Sequence, residues 1–273
     1  MDVKAYLERI QYQGSLLPTL ESLQGLQLSH LLSVPFENLS IHANEPILLQ
    51  EDSLFDKVVL RRRGGFCYEL NGLFAALLRQ LGFNVTLLSA GVAKIDGGFG
   101  PDFDHMTLMV LLEDRWLVDV GFGDSFRHPL LIDRRDAQVQ GKRSYQIVDD
   151  GNYLILRKSE GGNDWKAKYR FTLRSYELAD YAEMCHYHQT SPESTFTQRR
   201  ICSRAKTDGR VMLSDMRLIE TDGSERREQV MINEKEYTEM LEREFGIIMG
   251  DWVRKATELK CVQSVQSLRF APA

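Results

Sequence analysis

Cys67 stands where a thiol can become a nucleophile. The run Arg61-Arg62-Arg63-Gly64-Gly65-Phe66-Cys67-Tyr68-Glu69-Leu70-Asn71-Gly72 places two glycines, which permit a tight turn, ahead of a thiol that opens a helical apolar pattern. A helix start offers N–H groups with no intrahelical partner and the positive end of the helix dipole, and both favour a thiolate. An ordinary thiol, with a pKa near 8.5, is only about 3% ionised at pH 7, so such help matters. The competing reading of a lone cysteine is a buried, inert side chain. A nucleophilic sulfur also needs a base, and the base an orienting group. His105 follows the polar loop Gly97 to Asp104, just before a strand-like run. Asp119 closes the next run, Trp116-Leu117-Val118-Asp119-Val120. Neighbouring strands of one hairpin would bring the two to a common rim. A carboxylate ending an apolar strand calls for a buried partner. Cys67, His105 and Asp119 are therefore the candidate triad.

The elements that must position these groups change character along the chain. Residues 1–83 read as helical, with apolar spacing over Val3 to Ile10, Leu16 to Leu32 and Ser53 to Leu60. A stronger stripe (Leu70, Leu73, Phe74, Leu77, Leu78) spans a helix from Cys67 to Leu81, with Gly82 at its C-cap. Residues 84–189 break into short β-branched and aromatic runs: Asn84 to Ala93, Met106 to Leu112, Trp116 to Val120, Ser144 to Val148, Tyr153 to Lys158 and Lys166 to Arg174. Turn residues such as Asp96-Gly97-Gly98 and Gly161-Gly162-Asn163 separate them, which is an antiparallel sheet or barrel signature. A connecting helix is expected over Glu177 to Gln189. Residues 190–273 give strands, most clearly Val211 to Glu220 and Gln229 to Ile232, a helix from Glu234 to Phe245, and a further helix after Gly250.

The motifs resemble those of the arylamine N-acetyltransferases. Arg63-Gly64-Gly65-Phe66-Cys67-Tyr68-Glu69-Leu70-Asn71 is similar to that family's active-site signature, and Val34-Pro35-Phe36-Glu37-Asn38-Leu39 to its second N-terminal motif. Asp104-His105-Met106 and Asp119-Val120-Gly121-Phe122-Gly123 correspond to its histidine and aspartate segments. Thr190-Ser191-Pro192-Glu193-Ser194-Thr195-Phe196 resembles the segment after the connecting helix. The resemblance implies an α+β multidomain fold: an N-terminal helical bundle, a central antiparallel β-barrel and a C-terminal α/β lid around a cysteine-protease-like Cys-His-Asp core. It implies acetyl transfer from acetyl-CoA, through an acetyl-cysteine, to an arylamine, an arylhydrazine or the oxygen of an N-hydroxyarylamine. Phe36 and Phe122 would wall the acceptor. Gly121, Gly123 and Phe196 would sit on the CoA side, with Arg199-Arg200 a weaker phosphate contact. Arg63 and Glu69 are expected to form a buried ion pair bracing the active-site turn, and Asn71 to orient a neighbouring group. The order Cys, His, Asp is also similar to transglutaminase and cysteine-peptidase arrangements, which would make the chain a hydrolase. A catalytically dead module retaining the fold is a third reading.

Composition narrows the classes. The 273 residues are 43% hydrophobic and carry only seven prolines, which excludes a disordered or collagenous chain. A net charge of −5 argues against a nucleic-acid partner. No apolar run nears the roughly 18 residues of a membrane span, and the charged start Met1-Asp2-Val3-Lys4 is unlike a signal peptide. Four scattered cysteines (Cys67, Cys185, Cys202, Cys261) form neither a disulfide framework nor a paired-thiol metal motif. Cys185-His186-Tyr187-His188 offers metal-ligand types on diverging faces with no fourth ligand, so no metal is expected. These features suit a cytoplasmic monomer or weak homo-oligomer with reduced thiols.

Overall fold

The computed structural model describes residues 1–161, 164–223 and 225–249. Cys261 and the helix expected after Gly250 lie outside them. The N-terminal part holds α1 (Val3–Arg9), α2 (Leu20–Ser33), the short strand β1 (Phe36–Glu37), α3 (Leu39–His42), α4 (Glu51–Phe55), which runs on into a single π turn (Asp56–Leu60), and α5 (Cys67–Gln80). Asp2 and Thr19 cap α1 and α2 by accepting the Ala5 and Ser22 N–H groups. Gly82, at φ +89°, takes the left-handed backbone that ends α5. That helix is enclosed along almost its whole length: Cys67 through Ala75, Leu77 and Leu78 are all buried. It is the axle of the main apolar core, which also takes in Leu23, Leu26, Val58, Met106, Leu108 and Val110.

The next eight strands are β2 (Asn84–Val92), β3 (His105–Leu111), β4 (Arg115–Val118), β5 (Leu130–Leu131), β6 (Gln138–Gln140), β7 (Arg143–Asp150), β8 (Tyr153–Ser159) and β9 (Lys166–Phe171). They form one antiparallel sheet in the order β5-β4-β3-β2-β9-β8-β7-β6, curled into a nearly closed barrel around Leu88, Leu117, Phe126, Tyr145, Ile147 and Phe171. Side chains complete what the backbone ladder leaves open. Gln138 of β6 accepts the Leu131 N–H at 2.8 Å and donates to the Leu131 carbonyl at 3.0 Å. Gln140 accepts the Arg127 and His128 N–H groups and donates to the His128 carbonyl. A primary amide carries the same donor–acceptor pair as a peptide, so it can stand in for a strand partner.

After a 3₁₀ turn (Leu178–Tyr181) come α6 (Ala182–Thr190), α7 (Thr195–Gln198), β10 (Ile201–Lys206), β11 (Gly209–Ser214), β12 (Arg217–Asp222), β13 (Glu225–Val230) and α8 (Glu234–Phe245). The second sheet runs β1-β10-β11-β12-β13, so the N-terminal part contributes a strand to the C-terminal one. Tyr237, Met240, Leu241 and Phe245 of α8 cover Cys202, Val211, Leu213 and Leu218 of this sheet. The expected single strand Val211 to Glu220 is instead a hairpin. Asp215, at φ +47°, turns the chain between Ser214 and its partner Arg217, a conformation that aspartate tolerates better than most residues. β10 was not anticipated, because Ile201-Cys202-Ser203-Arg204-Ala205-Lys206 has little β-branched content. It forms because two partners flank it. Among the described residues, no helix is long and apolar enough to cross a membrane.

His30 sits fully buried between Tyr6, whose hydroxyl is 3.1 Å from Nδ1, and the ring of Phe74. Burial, aided by the Arg9 charge, lowers its pKa to about 3. Its contribution to stability is therefore complete above the unfolded value of about 6.5 and is lost as pH falls from there toward 3. Urea midpoints measured from pH 8 down to pH 4 should show an acid loss in the wild type that is shallower in His30→Phe.

Candidate active site

The turn before α5 is built on buried charges. Glu37 Oε1 accepts from Arg63 Nε and Nη2 at 3.0 and 2.8 Å, and Glu37 Oε2 accepts the Leu39 N–H at 2.6 Å. Lys57 Nζ donates to Glu69 Oε1 at 2.7 Å, and Glu69 Oε2 takes the Phe66 N–H at 3.0 Å, satisfying one orphan donor of the helix start. The ion pair expected between Arg63 and Glu69 is thus replaced by two others: Arg63 pairs with Glu37, and Glu69 with Lys57. Sequence spacing favoured the nearer carboxylate, whereas β1 delivers Glu37 to the guanidinium. Burial opposes ionisation of Glu37, but Arg63 and Lys57 outweigh it and hold the carboxyl below its usual range. At Glu69 burial prevails over Lys57 and the pKa rises. Gly65 is obligatory, since a Cβ there would lie 2.7 Å from Glu69 Cβ.

Cys67 is the first residue of α5 and is 3% exposed. Cys67 packs in the same apolar core as Met106, the residue after His105. Burial pushes the thiol well above its ordinary value, with the nearby Met106 backbone N–H pulling the other way. His105 opens β3 and Asp119 follows β4; the antiparallel register, with Leu108 opposite Val118, brings both to one end of the barrel. His105 Nε2 lies 2.8 Å from Asp119 Oδ2, with both groups buried. Asp119 stands one residue past the strand it was expected to close, because Oδ1 accepts the Gly121 N–H at 2.9 Å and the resulting Asx turn ends the ladder. Asn71, one turn below Cys67, donates to Asp119 Oδ1 at 3.0 Å and to the Met106 carbonyl at 2.7 Å, and accepts the Val120 N–H at 2.9 Å. A Cβ on Gly121 would come within 2.8 Å of Cys67 Cα, so only glycine lets this turn approach α5.

Aromatic rings surround the site. Phe122 is 5.0 Å from the His105 ring, and Tyr169 is 5.0 Å from His105 and 5.1 Å from Phe122. The Tyr169 hydroxyl reaches Thr107 at 3.3 Å; burial and the nearby Asp119 carboxylate raise its pKa well above the ordinary value. Sequence reasoning missed Tyr169. The only signal was an aromatic at an inward-facing strand position, shared with many core residues. Phe36 and Phe196 lie 6.1 Å apart, and Gly123, at φ +73°, faces Phe36. Arg200 is drawn away from the cleft: it pairs with Glu234 at 2.8 Å and lies over the Tyr237 ring. In the Cys185-to-His188 run, Cys185 and His188 are buried while His186 is exposed, and among the described residues no cluster could hold a metal.

A family model described as N-acetyltransferase matches residues 19–253. A pineal gland arylamine N-acetyltransferase isozyme of Gallus gallus is 34% identical, over 91% of this chain and 95% of its own. The arylamine N-acetyltransferase / N-hydroxyarylamine O-acetyltransferase of Salmonella typhimurium is 31% identical, over 93% and 92%. The solved structure of the Mycobacterium marinum arylamine N-acetyltransferase in complex with CoA superposes with a TM-score of 0.84 at 30% identity, covering 93% of this chain and 94% of that one. The fold and the comparisons define an acyltransferase. The chain belongs to the arylamine N-acetyltransferase family.

The buried charges set a stability test. Arg63→Met leaves Glu37 with only Lys57, 4.0 Å away, as a cationic neighbour, and should cost about 3 kcal/mol in urea unfolding. Adding Glu37→Met should recover a large part of that loss.

Proposed function

We propose that Cys67, His105 and Asp119 carry a two-step acetyl transfer from acetyl-CoA to the nitrogen of an arylamine or arylhydrazine, or to the oxygen of an N-hydroxyarylamine. The observation that carries this reading is the buried 2.8 Å His105–Asp119 pair at the barrel end that meets the start of α5, where a Cβ on Gly121 would lie 2.8 Å from Cys67 Cα. With Nε2 committed to Asp119, Nδ1 is the ring nitrogen left to exchange a proton with the thiol. A lone thiolate in this setting is costly, as the direction of its pKa shows. Moving the thiol proton to His105 instead creates a dipolar pair, and the Asp119 carboxylate stabilises the imidazolium half.

In the first half-reaction, Cys67 Sγ attacks the thioester carbonyl. The carbon–sulfur bond to CoA breaks, and His105 returns the proton to the departing CoA sulfur. In the second, the acceptor nitrogen attacks the acetyl-cysteine, His105 takes its proton, and Cys67 leaves. Thioester-to-thioester exchange is nearly balanced, so the intermediate keeps its transfer potential. First-turn N–H groups of α5 suit the tetrahedral oxyanion. Phe36 and Phe122 serve as apolar walls for a flat acceptor. Gly123 and Phe196 lie toward CoA, and Gly121 closes the gap to α5. The same reading takes residues 1–83, 84–189 and 190–273 as bundle, barrel and lid, in a cytoplasmic monomer or weak homo-oligomer. The three described cysteines are free and buried, which suits a reducing compartment.

Intact mass after mixing with acetyl-CoA should show the gain of one acetyl group, absent in Cys67→Ala and discharged by an aromatic amine. Asp119→Asn should load acetyl about 10²- to 10⁴-fold more slowly, because the amide favours the wrong imidazole tautomer. Wild-type loading on any other residue would refute the assignment.

A further inference from the structure

A second histidine lies close by, outside the triad. His188 of α6 is buried, with Nδ1 3.1 Å from Ser194 Oγ and Nε2 3.3 Å from Asp104 Oδ1. The two ring nitrogens are flanked by a hydroxyl and a carboxylate, and Nε2 meets Asp104 as a close polar approach outside hydrogen-bond geometry. Asp104 immediately precedes His105, and its other oxygen accepts the Val92 N–H at 3.1 Å. Ser194 caps the α7 turn by accepting the Phe196 N–H at 3.3 Å. The imidazole is packed between Tyr68, stacked at 6.1 Å, and the edge of Phe196 at 5.1 Å.

The turn that leads into Asp104 is strained. Phe103 has φ +65°, a left-handed conformation that costs a bulky residue roughly 1–3 kcal/mol and persists only where its surroundings over-determine it. Its N–H is held by Ser89 Oγ at 2.7 Å and its carbonyl by the Tyr68 hydroxyl at 2.5 Å. Asp104, held by the Val92 N–H and 3.3 Å from His188 Nε2, is the last fixed point before the ring of His105. Relaxation of the turn would move that ring, and a displacement of about 1 Å in such a constellation can cost about 100-fold in rate.

We propose that His188 is a positioning residue for the acetyl transfer. Through Asp104 it locks the strained turn that aims His105, and through Ser194 it ties that turn to the Phe196 segment on the CoA side. This role rests on the Cys67–His105–Asp119 reading above.

The test uses the full chain and two readouts that a merely structural residue would not move. One is the rate at which acetyl-CoA loads Cys67, followed by rapid-quench intact mass. The other is the ratio of iodoacetamide alkylation of Cys67 at about pH 6 to that at about pH 9, which reports whether the thiol is still ionised by an aligned imidazole. His188→Leu and Asp104→Asn should each slow acetyl loading about 10- to 100-fold and lower the alkylation ratio. His188→Gln, which keeps a polar group for Asp104, should recover most of both. Ser194→Ala is the milder change and decides the matter if the leucine variant does not fold; it should raise the acetyl-CoA concentration needed for half-maximal loading. Variants that melt at lower temperature yet load acetyl at the wild-type rate with an unchanged alkylation ratio overturn a positioning role for His188. Wild-type protein that does not load Cys67 overturns the catalytic reading itself, and this role with it.

Discussion

The Asn71 side chain joins the helix to the barrel. Its amide donates to the Met106 carbonyl on β3 and to the Asp119 carboxylate past β4, and it accepts the Val120 N–H. All of these groups are buried, so each bond is made in a low-dielectric setting where leaving one open would cost about 1–3 kcal/mol. The sulfur at the top of α5 then meets the strand that carries His105, because the same helix that presents Cys67 also anchors that strand. Asp119 in turn is bonded by three groups, His105, Asn71 and the Gly121 N–H. A carboxylate fixed from several sides can hold an imidazole in one orientation.

The helix that opens on Cys67 has no ordinary cap. Phe66 occupies the N-cap position and has no acceptor to offer, so Glu69 supplies one by reaching back to the Phe66 N–H. That choice buries a carboxylate and obliges Lys57 to accompany it, while Glu37 and Arg63 brace the Gly64-Gly65 bend from the β1 side. Replacing such pairs by apolar groups is often no worse for stability. Their presence here tracks the demand for a fixed turn rather than for a more stable core. The Glu37 N–H also bonds the Gly65 carbonyl, so strand, turn and helix start form one unit.

The elements legible in the sequence were those with strong periodicity or sharp punctuation. α5 and α8 have the expected bounds to within a residue, Gly82 ends α5, and most barrel strands lie within two or three residues of their apolar runs. Weakly patterned pieces were not legible. β10 and the turn at Asp215 depend on neighbouring strands, and β5 and β6 are too short to carry a pattern. Of the site, Cys67, His105 and Asp119 stood out through residue type and setting. Tyr169 and His188 did not, since an inward tyrosine and a helical histidine are common in any core.

Local order alone was enough to place a thiol at a helix start, to set glycines where the backbone must bend, and to name a family through its motifs. Pairing was decided elsewhere. Whether Arg63 answers Glu37 or Glu69, and which of six histidines meets a carboxylate, depends on segments far apart in the chain arriving at the same few ångströms. The physical reason is that propensity and periodicity act over a handful of neighbouring residues, whereas a buried charge selects its partner from whatever the completed fold brings within reach.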